Sequence, residues 1–172
     1  MSKNRDSKNA QQAKLRDYIL EQLHQQLPLR PYQQFYGKGD DYGMSGFSDI
    51  SMRDANTPKH GQKWSIVPLS GSSPNFLPNT LLLSFVREAP GPHICNLILR
   101  SSLLRRGFIV STGSACNKSG PSPVLAAIGT PYIVRRGVLR ISLGDLTTRS
   151  ECDRLVSAIL LSIAEQDTPT PV

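Results

Sequence analysis

The sequence predicts an α+β domain: a small mixed or antiparallel sheet covered by helices. Three observations lead there. A short apolar run at Leu81–Val86 and an apolar–polar alternation at Val138–Leu143 both have strand length. Longer stretches with apolar residues at helical spacing stand near 10–26 and 149–165. The two kinds mix without the regular strand–helix alternation that builds a parallel sheet.

Taken in order, residues 1–9 hold no large apolar side chain beyond Met1 and are expected to form a disordered arm. Leu15, Tyr18, Ile19 and Leu23 then recur on one helical face, and Pro28 ends that helix, giving 10–26. Residues 37–76 are rich in Gly, Ser, Pro, Asp and Asn and are expected to be a loop insertion, with Trp64–Val67 its one strand-like run. Leu81–Val86 reads as a buried strand. Cys95, Leu97, Leu99, Leu103 and Leu104 mark a helix over about 92–105, closed at Gly107 by the left-handed cap that glycine tolerates.

Phe108–Ser111 follows as a further strand and runs into a Gly/Ser/Ala-rich loop. Ser122 as N-cap, Pro123 at the first helical position and Gly129 just past the end mark a short helix. In Val138–Leu143, Leu139, Ile141 and Leu143 alternate with Arg140 and Ser142, so this strand has one polar face. Thr148 and Glu151 have the spacing of a capping box and start the last helix, which ends near 165. Residues 10–165 are thus expected to form one domain, with its core in 79–165 and a frayed tail at 166–172.

Twenty Lys and Arg against thirteen Asp and Glu give a net charge of +7. That surplus suits an anionic partner, but the basic residues are scattered or paired (Arg105/Arg106, Arg135/Arg136) with no aromatic-interleaved stripe, so specific nucleic-acid binding is not expected. Cys95, Cys116 and Cys152 match neither a zinc spacing nor a disulfide framework. Free thiols, a polar N-terminus and no membrane-length apolar run lead to the expectation of a soluble, cytoplasmic protein that uses no membrane and no metal.

Location separates the cysteines. Cys116 lies on a small-residue loop leaving a strand, with Lys118 and the helix start near Ser122 as local sources of thiolate stabilisation. Cys95 and Cys152 fall within helical patterns and read as structural. Arg140, on the polar face of its strand, suits bidentate capture of a carboxylate.

Four segments, in this order, resemble the cysteine desulfurases, NifS-like members of the class V aminotransferase superfamily. They are Leu77 to Phe85, Gly107 to Cys116 with its Ser-Thr-Gly-Ser-Ala-Cys ending, Pro121 to Gly129, and Leu139 to Gly144 followed by Thr147, Thr148 and Glu151. The resemblance covers about residues 77–163, and the 10–26 helix is similar, more loosely, to the family's connecting helix. It implies the C-terminal small domain of a fold-type I pyridoxal-phosphate enzyme that turns L-cysteine into L-alanine and leaves sulfur as a persulfide on the loop cysteine. Cys116 matches that nucleophile. Arg140 matches the arginine that binds the substrate carboxylate.

The chain departs from the pattern where the cofactor should sit. The family's Schiff-base lysine follows a histidine in a Ser-x-His-Lys string; the nearest run here, Thr57 to Lys63 with Lys59, His60 and Lys63, has the wrong order and falls in the insertion. The connection from 31 to 77 is also longer than the family's, and the stretch from Cys116 to Ser122 is shorter than in long-loop members. The expectation is therefore a desulfurase part that is inactive as an isolated chain and depends on a separate cofactor domain or a full desulfurase. The alternative is a non-catalytic accessory or sulfur-relay module, docking on a full desulfurase or a sulfur-acceptor protein, or else an inert truncation product.

Overall fold

The computed structural model describes residues 2–35, 64–70, 76–88, 94–112 and 122–167. Its centre is a three-stranded antiparallel sheet in the order β1 (Trp64–Pro68), β2 (Thr80–Arg87), β3 (Val138–Ser142). Helices α1 (Ser2–Gln26), α2 (Asn96–Arg105) and α5 (Arg149–Asp167) accompany it, with two one-turn helices, α3 (Pro123–Ala127) and α4 (Tyr132–Arg136), and a 3-10 turn at Tyr32–Phe35. This is the expected α+β arrangement of a small antiparallel sheet covered by helices.

Strand alternation decides which side chains meet which layer. Ile66 pairs with Phe85, Leu83 with Leu139 and Leu81 with Ile141. These residues and Trp64 share one face, and there they join Ile19 and Leu23 of α1, Leu99 and Leu103 of α2, and Leu155, Ile159 and Ile163 of α5 in one buried cluster. The opposite face carries a second, smaller cluster of Phe35, Val67, Val86 and Val134, together with the buried hydroxyls of Ser65 and Ser84. Leu82 and Arg140 face each other on that side, both half-buried.

Local hydrogen-bond rules account for several boundaries. Gly107 has φ +85°, its N–H donates to the Leu104 carbonyl, and the Phe108 N–H donates to the Leu103 carbonyl. Gly129, at φ +78°, closes α3 in the same way, with bonds to the Ala126 and Leu125 carbonyls. Both are Schellman turns, which need a residue that tolerates positive φ. At the head of α5, the Thr148 N–H donates to Glu151 Oε2 at 2.8 Å and the Glu151 N–H donates to Thr148 Oγ1 at 3.3 Å, the reciprocal pair of a capping box.

Four expectations need correction. The first helix begins at Ser2, not at 10, so the stretch read as a disordered arm is helical. Once a helix is nucleated, extension needs only one bond per added residue, and Lys8 and Gln12 both bind the Asp145 carboxylate, at 2.7 and 2.9 Å. The stretch read as an insertion contains β1, an integral sheet strand whose outer edge is closed by Pro28 and Arg30: the Ile66 N–H donates to the Pro28 carbonyl and the Arg30 N–H to the Ile66 carbonyl. The Phe108–Ser111 strand is a single bridge, Ser111 to Arg140. Finally, α5 extends to Asp167, and Gln166 Oε1 accepts the Cys95 N–H at 2.9 Å, tying part of the expected tail to α2.

The sequence reading also missed α4. It is pinned between strands by the Ser84 hydroxyl, which donates to the Val134 carbonyl, and by Gly137, where an added Cβ would lie 2.0 Å from the Phe85 carbonyl oxygen. Only glycine lets the chain turn from α4 into β3 at that distance.

Candidate functional site

The site begins at the exposed edge of β3. Arg140 donates its N–H to the Ser111 carbonyl at 2.7 Å, and Ser111 donates its N–H to the Arg140 carbonyl at 3.0 Å. This closed pair locks the segment leaving the Gly107 turn onto β3. Ahead of it, Phe108 and Val110 pack against the main cluster while Ile109 is 90% exposed, so the side chains alternate as in a strand although only the last residue pairs. Beyond Thr112 the loop with Cys116 lies outside the described residues, as does Lys118. The chain is described again from Ser122, whose side chain accepts the Leu125 N–H at the head of α3.

What the structure shows is that Ser111, at the root of the Cys116 loop, is hydrogen-bonded to the residue read as the carboxylate binder. The Arg140 side chain is half-buried on the strand face opposite the main cluster. It forms no ion pair among the described residues, in contrast to Arg16, Arg30 and Arg106, which are held by Asp17, Glu88 and Glu165. A half-buried guanidinium with no carboxylate partner can take an incoming one as a planar, two-point contact.

The other cysteines have different settings. Cys152 is 1% exposed in the main cluster, and burial, with Asp153 and Glu151 adding to it, pushes its thiol pKa up and away from thiolate chemistry. Cys95 is half-buried at the N-cap of α2, its backbone N–H given to Gln166. Both are free thiols.

A Schiff-base lysine must be sheltered and uncharged to react with a carbonyl. Among the described side chains the lysines are Lys8 and Lys14, both exposed on α1, and Lys8 is ion-paired with Asp145. Neither fits a covalent hold on pyridoxal phosphate. Lys59, His60 and Lys63 lie outside the described residues. Among the described residues, no helix is long and apolar enough to cross a membrane and no group of three His, Cys, Asp or Glu side chains is placed to hold a metal ion.

With this geometry in place, the similarities narrow the class. No family model matches the chain. Among curated proteins it is 35% identical over 85 residues to human selenocysteine lyase, covering 43% of this chain and 19% of that one. It is 38% identical over 104 residues to a cysteine desulfurase of Rhodobacter capsulatus, covering 59% and 25%, and 32% identical over 122 residues to the cysteine desulfurase IscS of Dictyoglomus turgidum, covering 70% and 29%. One solved structure, a NifS-like protein, aligns with a TM-score of 0.40 at 30% identity, covering 52% of this chain and 20% of that one.

The chain is a desulfurase-like domain, as the motifs for a C-terminal small domain imply. It spans between about a fifth and under a third of the length of these three curated relatives. The selenocysteine lyase among them was not foreseen; none of the motifs read from sequence distinguishes a sulfur substrate from its selenium analogue.

Proposed function

We propose that this chain is the sulfur-carrying part of a cysteine desulfurase: Cys116 receives the sulfur of L-cysteine as a persulfide, and L-alanine leaves. Arg140 holds the substrate carboxylate. The pyridoxal phosphate, with its Schiff-base lysine, comes from a separate domain or partner chain and supplies the electron sink that loosens the substrate's carbon–sulfur bond. In net terms the carbon–sulfur bond breaks, a sulfur–sulfur bond forms on Cys116, and a proton ends on the carbon that becomes the alanine methyl. No external oxidant or reductant is required.

The observation that supports this reading is the Ser111–Arg140 backbone pair, beside a guanidinium that no described carboxylate holds. A thiol can attack a substrate sulfur only when both are held at close range. The pair ties the segment carrying the thiol to the strand carrying the arginine.

The test is to incubate the full chain with a complete cysteine desulfurase, pyridoxal phosphate and L-cysteine, and to map persulfides by peptide mass spectrometry. The reading expects a one-sulfur mass gain on the Cys116 peptide and none on the Cys95 or Cys152 peptides. Loss of the signal in Cys116→Ser with retention in Arg140→Met would identify a relay module that accepts sulfur without binding the amino acid. No sulfur on Cys116 would overturn both readings.

The similarity to selenocysteine lyases favours one further reading, in which L-selenocysteine is the preferred substrate. Alanine release measured with each amino acid, in the presence of the cofactor domain, separates the two: equal or greater release from L-cysteine would remove it.

A further inference from the structure

Arg135 and Arg136 close α4, and both guanidinium groups lie over the same ring, that of Tyr132, at 5.4 and 5.8 Å from its centroid. Neither forms an ion pair among the described residues, and Arg135 Nε is buried with no hydrogen-bond partner. Two like charges held side by side repel, so an anion that meets both guanidinium groups relieves that repulsion. The chain's charge of +7 has the same sign.

The neighbouring surface is not that of a simple anion site. Helix α3 packs against α4 and presents Val124 and Ile128, one helical turn apart, at 65% and 66% exposure. Neither residue is needed for α3 itself, which is anchored through buried Leu125 and capped by Ser122. Exposed apolar side chains on a helix packed against one that carries two arginines without a described ion pair suit a protein surface with carboxylates around an apolar anchor, with Arg and aromatic groups as the energetic centre.

We infer that the α3–α4 hairpin is a docking surface for an acidic protein segment carrying an apolar anchor, with Arg135 and Arg136 meeting its carboxylates and Val124 and Ile128 its apolar side chain. The inference stands apart from the sulfur chemistry, because it requires neither Cys116 nor a cofactor.

Titrating the isotope-labelled full chain with a capped peptide of alternating Leu and Glu, and following amide shifts by NMR, tests it without turnover. The expected result is shifts concentrated in 122–137, with affinity falling at least tenfold in the Arg135→Glu, Arg136→Glu double variant and severalfold in Val124→Ser, Ile128→Ser. The second pair alters well-exposed side chains and keeps the test valid if the charge reversal unfolds the chain. An all-Glu peptide should bind more weakly. Shifts centred elsewhere would overturn the inference, as would inorganic phosphate or all-Glu peptide binding as tightly as the Leu–Glu peptide, or a single-stranded RNA oligomer outcompeting it.

Discussion

The two faces of the sheet are built for different work. On one, Leu81, Leu83, Phe85, Leu139 and Ile141 are sealed under α1, α2 and α5, each at most 3% exposed. On the other, buried valines alternate with serines, half-buried Arg140 and a single turn of helix. The first face has little tolerance for change because close-packed interiors lose both contacts and transfer free energy when atoms are removed. The second trades apolar packing for buried hydroxyls bonded to backbone carbonyls and for one half-buried guanidinium that no described carboxylate holds.

Substitutions should break the comparison if it is wrong, and the largest effects belong to the first face. Phe85→Ala removes a fully buried ring from the main cluster and is expected to cost about 3–5 kcal/mol, enough to unfold much of a marginally stable domain, as read by chemical denaturation. Gly137→Ala should cost at least about 1–3 kcal/mol, since the new Cβ meets backbone at 2.0 Å and β2 or α4 must move. Thr148→Ala, which deletes the cap of α5, should cost about 1 kcal/mol. Arg140→Met should shift stability by about 0.5 kcal/mol or less, because its guanidinium contributes no described ion pair. A loss at Arg140 as large as that at Phe85 would erase the distinction between the faces.

Acidification sharpens the same contrast. The Thr148 N–H and hydroxyl hold the Glu151 carboxyl below its usual pKa. A depressed folded-state pKa stabilises the protein above the unfolded value of about 4.3 and loses that contribution as pH falls through the folded value. Glu151→Gln should therefore be less stable than the parent near neutrality, and the gap should close below about pH 4. A gap independent of pH would show that the carboxylate charge plays no part in the cap.

How much of this was legible in the sequence follows from the range of each interaction. Caps and turns at Gly107, Ser122, Gly129, Thr148 and Glu151 rest on bonds between residues a few positions apart, so the local string contains the whole reason for them. The N-terminal half of α1 is held by Asp145, 137 residues on from Lys8, and α4 rests on a serine of β2 and the Phe85 carbonyl. Trp64–Pro68 reads as a lone run within a polar stretch until β2 is laid beside it. Strand alternation makes Arg140 a candidate, but its link to the loop root at Ser111 is a long-range pairing that no periodicity reveals. Arg135 and Arg136 read as an ordinary pair of charges until Tyr132 is seen beneath both.

Cysteine-resolved alkylation of the folded chain at neutral pH tests the central claim most directly, because it ranks all three thiols in one sample. Labelling followed by peptide mass spectrometry should find Cys116 modified first, Cys95 later, and Cys152 only after denaturant exposes the core. If Cys95 or Cys152 is labelled ahead of Cys116 in the folded protein, the assignment of Cys116 as the sulfur carrier is contradicted.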